Sequence, residues 1–454
     1  MNTGKMTEGN PLRLILAFSI PLLLGNLFQQ FYNIVDTAIV GQTLGKVALA
    51  GVGSTTSVQF LVIGFCQGLT QGFAIPVAQR FGANDLKNLK KYVFNGAVLT
   101  FVFAIIITLL TVVFTPQILS LLKVNSEIYY SSYTYIVVIF AGIPFTLLYN
   151  YLSGILRSIG DSKTPFYFLA FSAILNIFLD FFCILVLRWG CAGAAIATIF
   201  SQAVSGLLCL GLIIMKFEVL HVDKEDRHIS VQHCLHLLNM GLPMGLQLSI
   251  TAIGSMVMQS ANNGLGTTYV SGFAAGAKIK QLMMCPFDAF GIATSTFLSQ
   301  NYGARKAKRI KEGFGVGLKI GIVYGVMAGI ILFFFGRTLS ALFISLEEVE
   351  ALDASYDYLR RLGYFYPMLG MLMVSRMALQ GLGYSNRAML AGIIEMIIRS
   401  VFASIFVPIY KFDAITFTDQ LAWFGGVVYL LPMFIFTFKQ VEKNIEYELR
   451  YMQK

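Results

Sequence analysis

Long apolar runs almost free of charge constrain this chain more than any other feature. Leu14–Val40, Val93–Phe114, Pro165–Leu187 and Ile320–Gly336 carry at most one charged residue each. Each meets or approaches the roughly 20 apolar residues that cross a bilayer as a helix. The chain has 454 residues, 56% of them hydrophobic and 12% charged. A soluble domain carries about 25% charged residues, so a water-facing surface cannot be covered here. A transmembrane barrel would show short alternating strands instead, and the sequence has none. The run opening at Leu14 is too long for a signal core, and no small-residue cleavage site follows, so the first span is expected to be retained. The expected fold class is therefore an all-α polytopic membrane protein.

Apolar runs between charged or Gly/Pro-rich breaks place twelve spans, near 14–40, 47–79, 92–114, 128–155, 164–187, 190–216, 235–262, 268–300, 314–337, 354–381, 388–410 and 420–438. Lys and Arg concentrate in alternate loops, among them Lys87, Lys90, Lys91, Arg305, Lys306, Lys308, Arg309 and Lys311. Loops rich in these residues stay cytoplasmic, which predicts both termini inside and an even span count. The net charge of +10 is thereby a topology signal, and no nucleic-acid partner is expected. Six scattered cysteines without CxxC spacing read as reduced, buried small hydrophobes.

The chain repeats itself. Ala78-Gln79-Arg80-Phe81-Gly82-Ala83 recurs as Ser299-Gln300-Asn301-Tyr302-Gly303-Ala304, an offset of 303 − 82 = 221. Ile20-Pro21 recurs as Leu242-Pro243 at 243 − 21 = 222, and Pro144 and Gly160 recur as Pro367 and Gly383 at 223. Parallel six-span repeats are a transporter plan, with sites near the repeat interface. The expected division is an N-terminal lobe at 1–217, a solvated cytoplasmic linker at 218–233, a C-terminal lobe at 234–440 and a cytoplasmic tail at 441–454. His221, His228, His233 and His236 fall in or beside that linker, where solvation is expected rather than a metal site.

Ionisable groups inside a membrane are expensive and mark function by default. Asp36 is the only charge between Arg13 and Lys46, and Asp180 the only one between Lys163 and Arg188. Counting from the outer loops, 46 − 36 = 10, 188 − 180 = 8 and 198 − 188 = 10 place Asp36, Asp180 and Thr198 at one depth. At about 1.5 Å per residue, that depth is roughly 12–15 Å. Tyr135, eight residues past Glu127, reaches a similar level. Asn176 and Asp180 share a helix face, as do Tyr32 and Asp36, each pair being four residues apart. Carboxylates, an amide and hydroxyls at one level can hold a proton or a hard cation such as sodium. An ordinary helix-stapling role for Asn176 and Asp180 stays open.

Pro21, the Asn33-Ile34-Val35-Asp36 run, Pro76…Gln79…Gly82, Leu156-Arg157-Ser158-Ile159-Gly160-Asp161…Pro165, Asn176…Asp180 and the duplicated Gln-x-x-Gly-Ala together resemble the multidrug and toxic compound extrusion (MATE) family. The resemblance covers roughly residues 12–440, on both halves and in order. It implies twelve transmembrane helices in two pseudo-symmetric six-helix lobes. It also implies a secondary antiporter of the cell membrane that exports diverse small organic molecules against inward proton or sodium flow by alternating access. On this resemblance the N-lobe coupling site falls on Asp36, Asn176, Asp180 and Thr198, with sodium a candidate occupant. Tyr32 and Tyr135 stand beside it, and Pro21 weakens the first helix so that it can bend. No catalysis and no organic cofactor are expected, and the protein is expected to act as a monomer in the bilayer. A lipid-linked precursor flippase or a dedicated metabolite exporter of the same superfamily is the alternative.

The second half departs from the family pattern. Where some members carry acids in the seventh and tenth spans, this chain has Ser255, Gln259 and Ser260, then Ser375 and Arg376. Instead it holds Lys278, Lys280, Asp288, Arg376, Glu395 and Arg399 within or near spans. The methionines of this half, Met258 and Met284 among them, suit a promiscuous cavity. Lys278, Met258, Met284, Arg376, Glu395 and Arg399 are thus candidate cavity residues. Helix pairing and snorkelling remain the competing account of the charges.

Overall fold

The computed structural model describes residues 4–452. Helices account for nearly all of them: α1 (Pro11–Gly82), α2 (Leu86–Val113), α3 (Thr115–Leu121), α4 (Ser126–Ala141), α5 (Ile143–Ser158), α6 (Lys163–Phe181), α7 (Gly190–Lys216), α8 (Val231–Asn263), α9 (Thr267–Gly303), α10 (Ala307–Ser340), α11 (Val349–Gly381), α12 (Ser385–Tyr410) and α13 (Phe412–Met452). Among the described residues, nine helices are long and apolar enough to cross a bilayer, or ten if α4 and α5, bent by 45°, form one span. Two more complete the twelve. α1 breaks at Gly45, whose φ of 84° is open to glycine and strained for other residues. α11 is long enough but carries Asp353, Asp357, Arg360 and Arg361 in its first half. The twelve-span, all-α fold is the one read from the apolar runs.

The duplication is written into the backbone. Asn84 and Arg305 both have φ of 55°, and 305 − 84 = 221. Around each, the same paired hydrogen bonds close the preceding helix: Asp85 N to Arg80 O at 3.0 Å, and Lys306 N to Asn301 O at 2.9 Å. This is the left-handed helix stop that satisfies orphan carbonyls. Gly160 and Gly383, with φ of 87° and 92°, repeat it at an offset of 223; Arg188 and Lys411, at the same offset, share only a positive φ, 57° and 52°. The repeated sequence motifs are thus the turns that end matching helices.

Two compact units divide the chain. One is built on Leu24–Gly245, with Gly4 and Lys5; the other joins Met6–Leu23 to the chain from Leu246 onward. These divisions differ from the expected boundaries at 217, 233 and 440, for two reasons. The linker, though largely exposed, is docked at several points. Buried Asn95 on α2 donates to His228 O at 3.2 Å and accepts from Ser230 N at 2.9 Å. Tyr92 OH meets His236 Nδ1 at 2.7 Å, and Lys90 pairs with Asp223 at 2.6 Å. The linker and the start of α8 therefore belong with the first unit. At the other end α13 runs unbroken to Met452, with Val441 and Ile445 buried in the core of the second unit.

Inside the second unit α10 and α11 approach to backbone contact. A β-carbon added at Gly321, Gly325 or Gly329 would lie 3.1 Å from Gly370 O, 2.6 Å from Pro367 Cα or 2.3 Å from Gly363 O. Lipid supplies no hydrophobic drive between helices, so such small-residue seams hold them together. Five cysteines are buried, Cys234 is partly so, and all six are free.

Candidate cation-coupling site

Four helices of the first unit supply the groups expected at one depth. α1 brings Tyr32 and Asp36, α4 brings Tyr135, α6 brings Asn176 and Asp180, and α7 brings Thr198. Asp180 is wholly buried, Asn176 and Tyr135 nearly so, and Asp36, Tyr32 and Thr198 half-buried. Asn176 Nδ2 donates to Thr198 Oγ1 at 3.4 Å, and that hydroxyl donates to Ala194 O at 3.1 Å. The amide is thereby turned so that its oxygen faces away from α7.

The two carboxyl groups lie within reach of a shared proton. With both ionised neither can donate, and Asp36 Oδ1, Asp180 Oδ1 and Oδ2 and Asn176 Oδ1 are buried without a hydrogen-bond partner. Buried polar groups are normally satisfied, and each exception calls for an explanation. A proton between the carboxyls, or a hard cation held by these oxygens, would satisfy the set. Oxygen donors of this kind suit a hard cation rather than a soft metal. Among the described residues no cluster of three or more His, Cys, Asp and Glu side chains could hold a metal.

Two tyrosines and three amides wall the pair. Tyr32 lies within hydrogen-bonding reach of Gln29 and Gln202, and Tyr135 of Gln59. Gln202 also accepts from Thr146. Gln29, Gln59 and Gln202 carry no charge to mark them in the sequence, although 202 − 198 = 4 places Gln202 on the Thr198 face of α7. Directly after Asp180 the helix widens into a π-turn over Phe182–Val186, a feature common at functional sites. Gly193 of α7 sits against it, where a β-carbon would fall 3.2 Å from Cys183. Pro21 is buried in a stretch of α1 that keeps helical backbone angles, Gly45 being the one departure within α1.

The charged residues of the second unit are arranged differently. Asp419 Oδ2 takes Lys280 at 2.7 Å and the Tyr358 hydroxyl at 2.9 Å, while Oδ1 takes Arg399 Nε at 3.0 Å. Arg399 continues to Glu395 Oε2 at 3.5 Å, and Arg376 binds the other Glu395 oxygen. Asp288, half-buried, lies in the field of Arg376. This chain is buried, and Asp419 and Glu395 have a cationic partner on every oxygen. Asp419, absent from the sequence-level candidates, is a third acid beside Asp288 and Glu395 against the four bases Lys278, Lys280, Arg376 and Arg399, and so halves their surplus. Lys278 stands apart from it, exposed over the Phe343 ring at 5.5 Å. Met258 is buried in the core and Met284 packs half-buried against it.

Known proteins resemble this chain over nearly its whole length. A family profile described as MatE matches residues 21–182 and again 243–405, the offset 243 − 21 = 222 being that of the repeat. A probable multidrug resistance protein, YpnP, of Bacillus subtilis is 30% identical over 89% of this chain and 91% of its own. An FAD transporter of Shewanella oneidensis is 26% identical over 81% of each. In fold, the chain matches an outward-facing multidrug resistance MATE family transporter of the MOP superfamily with a TM-score of 0.92, covering 97% of this chain and 99% of that one at 22% identity.

Proposed function

This chain belongs to the MATE family, and from that premise we propose that it is a cation-coupled exporter of diverse small organic molecules from the cell. Its relatives include multidrug resistance and export proteins, and it is a multi-pass membrane transporter rather than an enzyme. The observation that carries the coupling is the set of four unpartnered oxygens on Asp36, Asn176 and Asp180. When the cation leaves, the two carboxylates repel each other and the pocket opens to substrate. When a proton or sodium enters from outside, the carboxyls draw together and α1 bends at Pro21, which lacks a backbone donor. The substrate is then expelled, and alternating access follows from the mutual exclusion of cation and cargo. The protein acts as a monomer, with no organic cofactor and no nucleic-acid partner. Both termini and the loops of Lys87–Lys91 and Arg305–Lys311 face the cytoplasm, as their charge requires.

The direct experiment reconstitutes the protein in vesicles and imposes proton and sodium gradients separately. One gradient should drive uptake or release of a fluorescent organic cation, and transport indifferent to both would end the coupling reading. A second reading, a dedicated exporter of an anionic metabolite, rests on exposed Lys278 and on the FAD transporter among the relatives. Competition between flavin nucleotides and organic cations for the same efflux separates the two.

A further inference from the structure

The segment Lys5–Asn10, just before α1, is held firmly by side chains from elsewhere in the fold. Met6 is buried; its N–H donates to Gln300 Oε1 at 2.8 Å, and its carbonyl accepts from Asn301 Nδ2 and Arg309 Nη2, both at 3.1 Å. Lys306 Nζ reaches Thr7 O at 2.9 Å, and Arg309 Nη1 reaches Gly9 O at 2.9 Å. Arg309 is itself fixed, its Nε bonded to Asn301 Oδ1 at 3.0 Å and its guanidinium 5.3 Å from the Phe297 ring centroid. The acceptors on the segment are backbone carbonyls, so its path is recognised more than its side chains. The partners are the second copy of the duplicated Gln-x-x-Gly-Ala turn and the basic residues that follow it.

The segment is stiffly joined to the helix. Gly9 turns through a φ of 90°. Asn10 then caps α1, its Oδ1 accepting from Leu12 N at 2.9 Å and Arg13 N at 3.3 Å. Pro11 occupies the first helical position, where its missing N–H costs nothing. Met6–Leu23 belongs to the second compact unit, whereas Asp36 on the same helix belongs to the first. Upstream, Lys5 makes one exposed bond, to Asn84 at 2.7 Å.

We propose that Gln300, Asn301, Lys306 and Arg309 are positioning residues for transport: they anchor the start of α1, so that movement at Asp36 is delivered through a helix with one fixed end. A helix bends at a weak point such as Pro21 only if its far end is held; released, it swings as a rod and the displacement is lost. The repeat supports the same reading. Before α8, the segment around Ser230 is pinned by another wholly buried asparagine, Asn95, and α8 up to Gly245 is grouped with the unit opposite to the rest of that helix. The proposal rests on the coupling reading given above.

The test has two arms in proteoliposomes. Cutting the anchor with Arg309→Gln and Lys306→Gln should lower the maximal exchange rate about tenfold or more, the rate equivalent of one charge-assisted hydrogen bond. Substrate KM and equilibrium binding of the driving cation should stay as in the unsubstituted protein. Welding the anchor, with Thr7→Cys and Lys306→Cys joined by a short reducible thiol cross-linker, should bring transport to within about twofold of the unsubstituted protein. The same link should restore the rate of Arg309→Gln, and reductant should abolish that rescue. The unsubstituted protein treated with the cross-linker controls for its own cysteines. If the weld stops transport, or the cut variants run at the unsubstituted rate, the anchor is overturned. Should Arg309→Gln fail to fold, the weld in the otherwise unsubstituted chain still decides. Failure of the coupling reading would show separately, as indifference of transport to both gradients, whereas tolerance of the weld is read without reference to the ion.

Discussion

The two units treat buried acid in opposite ways. In the first, Asp36 and Asp180 face each other and three of their oxygens have no partner. In the second, Asp419 and Glu395 are threaded between Lys280, Arg399 and Arg376, every carboxylate oxygen engaged. A paired buried carboxylate is tied to its neighbours, because losing its charge would strand the bases around it. An unpaired one is satisfied only by what binds to it. The first arrangement leaves acid oxygens open to a ligand and the second leaves none, although both place acids inside a membrane span.

The largest effect expected from this contrast is functional. Asp36→Asn and Asp180→Asn, each mimicking the neutral acid, should reduce gradient-driven efflux to the level of empty vesicles. Thermal stability in detergent should be unchanged or higher, since each removes an uncompensated buried charge. Correctly inserted variants that still pump at the original rate would move the coupling site elsewhere.

The converse holds for the second unit. Glu395→Gln and Asp419→Asn should each destabilise by about 3–5 kcal/mol, the cost of leaving buried partners uncompensated. The loss should appear as a lowered melting temperature, and pairing Asp419→Asn with Lys280→Gln should recover part of it. A stable Asp419→Asn protein whose transport loses its dependence on the gradient would instead make this chain a second coupling site, and the contrast would collapse.

The smallest effect belongs to Lys278, which lies outside the ion-pair chain. Lys278→Gln should leave stability alone and shift the preference between anionic and cationic substrates only a few-fold, the scale of one exposed charge. Competition assays with dyes of opposite charge would detect it, and an unchanged preference would remove Lys278 from the cargo path.

What could be read from the sequence follows the same physics. Asp36, Asn176, Asp180 and Thr198 are legible because a polar group in a long apolar run stands out, and counting from the loops gives its depth. Gln59 and Gln202 escape notice because neutral amides scarcely disturb hydropathy, and their use depends on which helices meet. Asp419 is hidden for another reason. It follows Lys411 and Asp413 closely, so its segment looks like a loop and the last span reads as starting near 420, whereas α13 begins at Phe412. Of its buried cations Arg399 lies on the preceding helix but Lys280 is 139 residues upstream, so the charge balance of the second half is not readable until those helices are packed. The linker shows the same limit: EVLHVDKEDRHISVQH has the composition of a solvated tether, and the residues that dock it, Lys90, Tyr92 and Asn95, lie far upstream.

The glycine seam of α10 has a consequence for how this protein can vary. Gly313 and Gly317 meet Phe297 and Thr294 of α9, whereas Gly321, Gly325 and Gly329 meet α11. Residues spaced by four advance about 40° per step around a helix of 3.6 residues per turn, so a stripe of this spacing winds like a screw thread from one neighbour to the next. A single side of α10 therefore serves two helices in succession, and neither contact can be loosened independently of the register. Along this thread, drift should be confined to the opposite wall, where Val323, Met327, Ile330 and Phe334 are exposed and any lipid-soluble side chain will serve. Gly315, off the thread with nothing within 4 Å of its missing β-carbon, is the glycine on this helix that relatives are free to lose.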